Sequence, residues 1–505
     1  MKSNQNFFNY DYRSSLFPMF TTKFLINFGE DKLLENSANC VKSTTSIGFS
    51  PQIKAYASKP KLHLRRTPKL DPSAECFVYD LVFRNRDLFR ASRSDSHKHF
   101  GYRFDEDDLP ISATEAYGAF RKSQSDYERQ YRYSLTFDVA SYFNSLRHDD
   151  IVEWCHVAGL GSEDTKALDS FLEQSNSGRG SDCWPQGIFP AKMVGNAFLR
   201  FAEENSGLKS SAAIRFLDDF VLFSDDKGQL VDDFFLVQKL LGSRGLSINP
   251  SKTRFNESID GLSETSLPDV RKRLLEKSRE ATHLAYAEDF DDAYEGIELD
   301  DEEIDYIKKI LNEDKLNEED SELILSVSRN HPDEVKPHLG KLFTSSPHLS
   351  KRVWSFCSVV GDVEFTEKFL SETSQSSTIQ EYQLFWLAQI VADHASDIIS
   401  NGGSISNTLQ HLYSHRNATD LSRAKLLEIS ISDPALMEWR REHLLSGRSD
   451  WMVWGSAIGH RGVIQNSAVR RFTSFSNASQ MNKVIFDIIR NADEKSSDLE
   501  NLVAF

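Results

Sequence analysis

The sequence predicts an α+β domain followed by an all-α region. Short β-like runs alternate with helical stretches from "YRYSLTFDVASYF" to "INPSKTRF", an order typical of mixed α and β domains. After about Gly261, helical runs separated by short polar breaks dominate, which favours stacked helical pairs, although no strict repeat period is found. A chain of 505 residues is long enough for two or three domains. We predict a first domain over residues 1–260 and a helical-repeat domain, HEAT-like in type, over residues 261–505.

The elements of the first domain differ in how clearly the sequence marks them. The first 72 residues mix aromatic, small polar and basic residues without clear periodicity. The following "CFVYDLVFRNRDLF" is apolar enough to be partly buried and basic enough to face an anion. In "DDFFLVQKLLGSRGLSINPSKT", Leu236, Val237, Leu240 and Leu241 lie at helical spacing, glycines end the helix, and "LSINP" is predicted as a strand that runs into a turn.

Two segments of the second half are predicted to be helices. "YQLFWLAQIVADHA" places Leu384, Leu387 and Val391 on one helical face. In "SDPALMEWRREHLL", Asp433 is predicted to cap a helix that Pro434 begins.

Charge is unevenly distributed along the chain. The net charge of −17 argues against a protein that binds nucleic acid through its overall charge. The segment from Lys54 to Arg103, however, contains twelve Lys and Arg but only five Asp and Glu, which is compatible with a local basic surface. From Glu288 to Asp305 there are eleven acids and no base, and we interpret this run as a solvated linker or helix face.

The five cysteines have neither CxxC nor zinc-type Cys/His spacing and are expected to be reduced thiols. No apolar run approaches 18 residues, so we predict no membrane span and an intracellular protein.

The most informative segment is "AAIRFLDDFVLFSDD", where Asp218 and Asp219 interrupt an apolar run. The flanking residues are typical of two short strands, so the aspartates occupy a hairpin turn. Two carboxylates about 4 Å apart repel each other by roughly 4 kcal/mol at an effective dielectric near 20, so a buried pair needs a cation or a shared proton. A solvated turn and a metal site both remain open from this segment alone.

A third aspartate belongs to the same pattern. Asp138 ends an apolar strand-like run in "YSLTFDVASYFNSLRHDDI", where it is either a helix cap or a ligand. The chain then continues with "CWPQGIFPAKMVGNAFLRF", the Asp-Asp hairpin, a helix and "GLSINPSKT".

In this order of motifs, residues 100 to 255 resemble reverse transcriptases. Asp138 with Phe143 resembles the first palm motif, "WPQG" with Asn196 the second, "FLDD" the catalytic hairpin and "GLSINPSKT" the fourth. The resemblance implies fingers over residues 1–130 and a palm over residues 131–260.

The resemblance also implies a role for each matched residue. Asp138, Asp218 and Asp219 would hold two Mg²⁺ ions for nucleotidyl transfer, with Mn²⁺ as an alternative ion. Phe143 is similar to the bulky residue that excludes a ribose 2′-hydroxyl, and Gln186 would lie against the incoming nucleotide.

Basic residues are implied at the phosphates. Lys252 is either a donor to the departing pyrophosphate or a solvated turn lysine. Arg103 is a candidate triphosphate contact from the fingers, whereas Arg65 and Arg66 fit an ordinary basic surface better.

Within the superfamily, "FGYRF" around Arg103 and the helical second half are similar to the abortive-infection (Abi) group, which includes prophage-borne members. That group implies protein-primed, template-independent DNA synthesis in antiphage defence in the bacterial cytoplasm. Its partners would be deoxynucleoside triphosphates and a single-stranded DNA product, free or covalently attached, and its assembly a homo-oligomer (trimer or hexamer).

Tyr10 and Tyr12 in "FFNYDYRSSLF" are candidate priming residues, because a phenol is more acidic than an alcohol. Both are equally well explained as aromatic anchors. A conventional templated reverse transcriptase and a non-catalytic helical scaffold that binds nucleic acid are the alternative functions.

Overall fold

The fold is given by a computed structural model. It describes residues 3–12, 14–42, 48–91, 94, 96–182, 184–257, 269–283, 297–313 and 316–492. The predicted domain boundary at 260/261 and the first half of the acidic run lie outside these residues.

The β-structure of the described residues comprises a two-stranded and a five-stranded sheet. The strands are β1 (Ile53–Ser58), β2 (Leu64–Lys69), β3 (His97–His99), β4 (Tyr133–Asp138), β5 (Ala212–Phe216), β6 (Asp219–Ser224) and β7 (Arg254–Glu257). β1 and β2 form an antiparallel hairpin, and the larger sheet has the order β3-β5-β6-β4-β7. All its pairings are antiparallel except that of β3 with β5.

The remaining elements are helices. Those before residue 258 are α1 (Asn4–Tyr12), α2 (Phe20–Lys42), α3 (Pro72–Arg84), α4 (Ala113–Gln130), α5 (Tyr142–Ser145), α6 (His148–Ala158), α7 (Ser162–Ser175), α8 (Phe189–Phe198), α9 (Arg200–Glu203) and α10 (Lys227–Ser243). Those after residue 268 are α11 (Asp269–His283), α12 (Asp301–Leu311), α13 (Glu318–Val327), α14 (Pro332–Val335), α15 (Leu339–Ser345), α16 (Ser350–Val360), α17 (Val363–Ser374), α18 (Glu381–Ser400), α19 (Ser406–Ser414), α20 (Asp420–Leu427), α21 (Pro434–Leu445), α22 (Trp451–Gly459), α23 (Arg461–Asn466), α24 (Thr473–Asn477) and α25 (Gln480–Asn491). Short 3₁₀ turns span Arg86–Phe89, Pro250–Lys252, Lys336–His338, Pro347–Leu349 and Val469–Phe472.

The five-stranded sheet has helices on both faces. Phe120 on α4 packs with Ile214 and Phe223 on one face. On the other, Phe137 stacks on Phe220 at 5.1 Å and meets Phe234 of α10 at 5.2 Å. The fold is therefore mixed α and β with a helical C-terminal region, as predicted from the alternating runs.

The predicted helices and caps are largely confirmed. α10 covers the predicted helix, and the Asp433 carboxylate accepts from the Ala435 and Leu436 amides at the start of α21. The predicted strand at "LSINP" is wrong, because only Ile248 pairs, through one bridge to Val139, before Pro250 opens a 3₁₀ turn.

The N-terminal segment, where the sequence shows no periodicity, forms α1, α2 and the β1–β2 hairpin. α2 packs between α3 and α25, so it is apolar on more than one face. Gly29 interrupts it beside Ile488, where a Cβ would lie 2.4 Å from the Ile488 Cγ1 atom.

The described part of the acidic run leads into a helix, α12. Asp300 forms a capping box with Glu303 at the start of α12, where acids favour the helix dipole. Glu303 is fully buried and lies 2.6 Å from the Lys277 ammonium, so the run is not solvated throughout.

No helix among the described residues is long and apolar enough to cross a membrane.

Candidate active site

Strand register brings the three aspartates together. Asp138 ends β4 directly opposite Asp219, which begins β6. Asp218 precedes it in the two-residue turn between β5 and β6, and its carbonyl accepts from the Val139 amide at 3.1 Å. Three carboxylates therefore converge at one end of the sheet.

The turn that carries Asp218 is strained. Leu217 has a φ of 56°, a left-handed conformation that costs a non-glycine residue about 1–2 kcal/mol. Arg215 Nη1 donates to the Leu217 carbonyl at 2.7 Å. A buried guanidinium therefore holds the backbone immediately before Asp218.

Arg215 belongs to a buried polar network that the sequence reasoning missed. Its side chain is fully buried and forms an ion pair with the buried Glu203 of α9. It also donates to the side-chain and main-chain oxygens of Asn196, at 2.9 and 2.8 Å. The available signal was a charged residue inside the apolar strand "AAIRF".

The crowded carboxylates are difficult to ionise together. Burial, then Asp218 and Asp138, raises the pKa of Asp219 to about 7, although Lys252 opposes the shift. Burial is also the main cause of the raised pKa of Asp218, and Asp138 adds to it. The site therefore favours a proton or a cation beside these groups.

Lys252 supplies one such cation. Its ammonium lies 2.6 Å from Asp138 Oδ2, and this hydrogen bond raises the pKa of Lys252. The Asn249 amide, just before the 3₁₀ turn, donates to the Asp138 carbonyl at 2.9 Å. The lysine side chain is 62% exposed, so it is both solvated and paired with the site.

The carboxylates fit a hard divalent cation in their chemistry. Asp138 Oδ1 is buried and accepts no hydrogen bond, which leaves an oxygen lone pair for a cation. Within the described ranges, no three acidic, His or Cys side chains are already arranged as a metal cluster. The Lys252 ammonium already lies beside Asp138 and neutralises part of the negative charge that a bound cation would neutralise.

Phe143 and Gln186 flank α8. The Phe143 ring is buried against Gly195, where a Cβ would come within 2.8 Å of the ring, and Tyr142 donates to the Gly195 carbonyl at 2.6 Å. Gln186 is half-buried in the loop before α8, and the adjacent Gly187 lies against Thr67 of β2. Their nucleotide-binding roles stay predictions.

The three candidate basic residues of the N-terminal part differ in their surroundings. Arg65 acts electrostatically on the aspartates, because its positive charge lowers the pKa of Asp218. Arg66 pairs instead with Asp182 at 3.1 Å. Arg103 lies in the loop after β3, where it donates to the Gly101 carbonyl at 3.3 Å and burial lowers its pKa.

Both candidate priming tyrosines lie on α1. Tyr12 is 3% exposed, and burial followed by Glu428 raises its pKa well above the usual value. The Tyr10 ring is half-buried and meets Phe189 of α8 at 5.9 Å. Phe189 meets Tyr102 at 4.7 Å, and Tyr102 lies 6.3 Å from Phe216, so packed rings connect Tyr10 to the hairpin that carries Asp218 and Asp219.

Comparison with known proteins supplies the family context. Residues 90–306 match the family model described as reverse transcriptase (RNA-dependent DNA polymerase). This range contains a reverse-transcriptase-type polymerase domain. No curated protein matches the chain.

Two of the solved structures that match are telomerases. Apo telomerase from Candida tropicalis is 11% identical with a TM-score of 0.31, over 75% of this chain and 73% of that chain. Telomerase from Candida albicans in complex with a fragment of telomeric RNA is 13% identical with a TM-score of 0.29, over 82% of this chain and 68% of that chain.

The reverse-transcriptase range contains Asp138, Asp218, Asp219, Lys252 and Arg215. It begins after α1, α2 and the β1–β2 hairpin and extends past the predicted boundary at residue 260. The predicted division into domains stays a prediction.

Proposed function

We propose that the protein is a Mg²⁺-dependent DNA polymerase of the reverse-transcriptase type. The observation that carries the proposal is the convergence of Asp138, Asp218 and Asp219 with Lys252 at the end of one sheet, inside the matched range. Such a set suits transfer of a nucleotidyl group from a triphosphate.

The chemistry is assigned to the residues as follows. The three carboxylates would hold two Mg²⁺ ions, which would favour the ionised hydroxyl nucleophile and neutralise the phosphates. Lys252, already paired with Asp138, provides the cationic donor for the leaving pyrophosphate. The Phe143 ring packs against Gly195. We assign to this ring the exclusion of ribonucleotides at the sugar side of the site.

Protein-primed, template-independent synthesis in antiphage defence is the finer part of the proposal. It rests on the resemblance to the abortive-infection group. Tyr10 is the better priming candidate, because its ring is half-buried and joined to the catalytic hairpin through aromatic neighbours, whereas the Tyr12 phenol is buried. A covalently attached DNA product, a trimer or hexamer, and the bacterial cytoplasm belong to the same proposal.

The test incubates purified protein with Mg²⁺ and labelled deoxynucleotides, without template or primer. The products are separated on a denaturing gel before and after protease. Protein-linked label that is lost in Asp218→Ala/Asp219→Ala supports the proposal. Asp232→Ala, which removes an exposed acid on α10, is the matched control and should retain the label.

A templated reverse transcriptase is the second candidate, favoured by the family model's description. Extension of a supplied primer with no label in its absence would replace protein priming with this function. No incorporation under either condition would favour a non-catalytic scaffold.

A further inference from the structure

The β1–β2 hairpin has an unusual tip. Lys61 and Leu62 have φ values of 59° and 58°, a left-handed pair without glycine. Leu62 is 77% exposed, so its side chain gains little from burial in this conformation. Within the loop, the Lys59 amide donates to the His63 carbonyl at 2.8 Å. Consecutive left-handed residues of this kind persist where neighbouring groups hold them.

Two carboxylates from the C-terminal half hold the hairpin. Glu318, the first residue of α13, accepts from the Lys61 amide with both oxygens, at 2.8 and 2.7 Å. Glu381, the first residue of α18, accepts from the Thr419 hydroxyl at 3.1 Å. α18 packs against β1, and the Tyr56 amide of β1 lowers the pKa of Glu381, which burial raises to about 7. One carboxylate therefore holds the tip, and the other lies beside the open edge of β1.

The hairpin carries two cations, Lys59 and Arg65, that interact electrostatically with the aspartates. Burial, Arg65 and Lys252 lower the pKa of Lys59, while Asp218 and Asp138 raise it. Lys59 and Arg65 thus share the electrostatic field of the catalytic carboxylates with Lys252. Triphosphate oxygens brought to this site would meet all three cations.

We propose that Glu318 and Glu381 are positioning residues that hold the β1–β2 hairpin, so that Lys59 and Arg65 face the phosphates of a bound nucleoside triphosphate. The inference rests on the proposed polymerase function. It adds that the helical half completes the nucleotide site through backbone contacts with the hairpin. Neither carboxylate touches the substrate.

The first test compares Glu318→Ala with Glu318→Gln and wild type. We measure the affinity for a fluorescent deoxynucleoside triphosphate with Mg²⁺, and KM and kcat for incorporation. Glu318→Ala should weaken nucleotide binding about three- to tenfold and raise KM similarly, with kcat changed less than about twofold. Glu318→Gln keeps an acceptor oxygen and should recover most of the affinity. Glu381→Gln should leave it near the wild-type value for the same reason, and Glu381→Ala should weaken it.

Glu319→Ala is the matched control. Glu319 is the next residue of α13, its side chain is 91% exposed, and the substitution changes the net charge equally. Its nucleotide affinity should equal that of wild type. An equal loss in Glu319→Ala would show that net charge, rather than the hydrogen bonds to the hairpin, sets the affinity, and would overturn the proposal.

A second readout does not depend on polymerisation. Lys61 lies on an exposed loop tip, where trypsin cleaves more readily as the backbone becomes more mobile, so Glu318→Ala should speed cleavage after Lys61 by severalfold. Faster cleavage with unchanged nucleotide affinity would show that the hairpin is held without effect on the site, which overturns the positioning role. If Glu318→Ala changes neither the cleavage rate nor the nucleotide affinity, the contact between Glu318 and the hairpin has no role, and the proposal is overturned. If the protein binds nucleotide but never incorporates it, the proposed polymerase fails, while affinity and cleavage still decide the role of Glu318.

Discussion

At the scale of single residues, Arg215 holds the turn that carries Asp218. It connects the buried Glu203 to the carbonyl of Leu217, whose φ is 56°. Arg215→Lys keeps the positive charge for Glu203 but loses the planar fork that reaches the turn. We expect activity to fall at least about tenfold while the protein stays folded, as checked by turnover and thermal unfolding.

A second substitution separates positioning from general damage. Leu217→Gly removes the cost of the left-handed turn. In the Arg215→Lys background it should restore part of the lost activity, and alone it should have little effect. Loss of activity without any recovery in the double variant would contradict the positioning role.

Asp219 gives a prediction about pH. Because its pKa is raised to about 7, its ionised form destabilises the folded state. The stability attached to its protonated form is complete below the unfolded value near 4 and is lost as pH rises through about 7. Asp219→Asn should therefore stabilise the metal-free protein at pH 8 by about 1 kcal/mol, a figure reduced for the solvent exposure of this side chain.

Thermal unfolding at pH 8 and pH 4 checks this expectation. The stabilisation should be present at pH 8 and absent at pH 4, and polymerisation should be lost in the variant. Mg²⁺ should raise the Tm of the wild type more than that of Asp219→Asn. A less stable Asp219→Asn protein at pH 8 would show that the carboxylate is not under electrostatic strain.

At the scale of elements, α8 fixes the position of Phe143. Phe143→Leu keeps an apolar side chain but shortens it beside Gly195, so it should admit ribonucleotides and reduce stability by about 1–2 kcal/mol. The ratio of ribonucleotide to deoxynucleotide incorporation measures the effect. Leu168→Ala, a buried change on α7, controls for lost packing and should leave that ratio unchanged.

The same scale shows what the sequence does and does not predict. The Asp218–Asp219 hairpin and the strand that ends at Asp138 were predictable because each depends on a short local run of apolar residues that ends at an aspartate. The role of Arg215 depends on Glu203 and Asn196, which come near only after folding. α2 was missed because it is buried on several faces, which removes the helical period.

At the scale of the whole molecule, the chain folds its first residues onto its last helices. Glu428 accepts from the amides of Phe20 and Thr21, both at 2.8 Å, and so caps the start of α2. Lys425 pairs with Glu428 at 2.8 Å and donates to the Pro18 carbonyl. α1 packs on α8 through Tyr10, whose ring meets Phe189. The N-terminal segment therefore contacts both the sheet-containing part of the chain and its C-terminal helices.

This connection predicts cooperative unfolding. Glu428→Ala would leave Lys425 buried without its carboxylate and two amides of α2 without acceptors, at a cost of about 3–5 kcal/mol. Chemical denaturation should show a lower midpoint for the whole chain in one transition, followed in parallel by tryptophan fluorescence and circular dichroism. Glu442→Ala, an exposed acid on α21, should leave the midpoint unchanged. Two separate transitions, with only the C-terminal one shifted, would instead mean that the polymerase half folds without this contact.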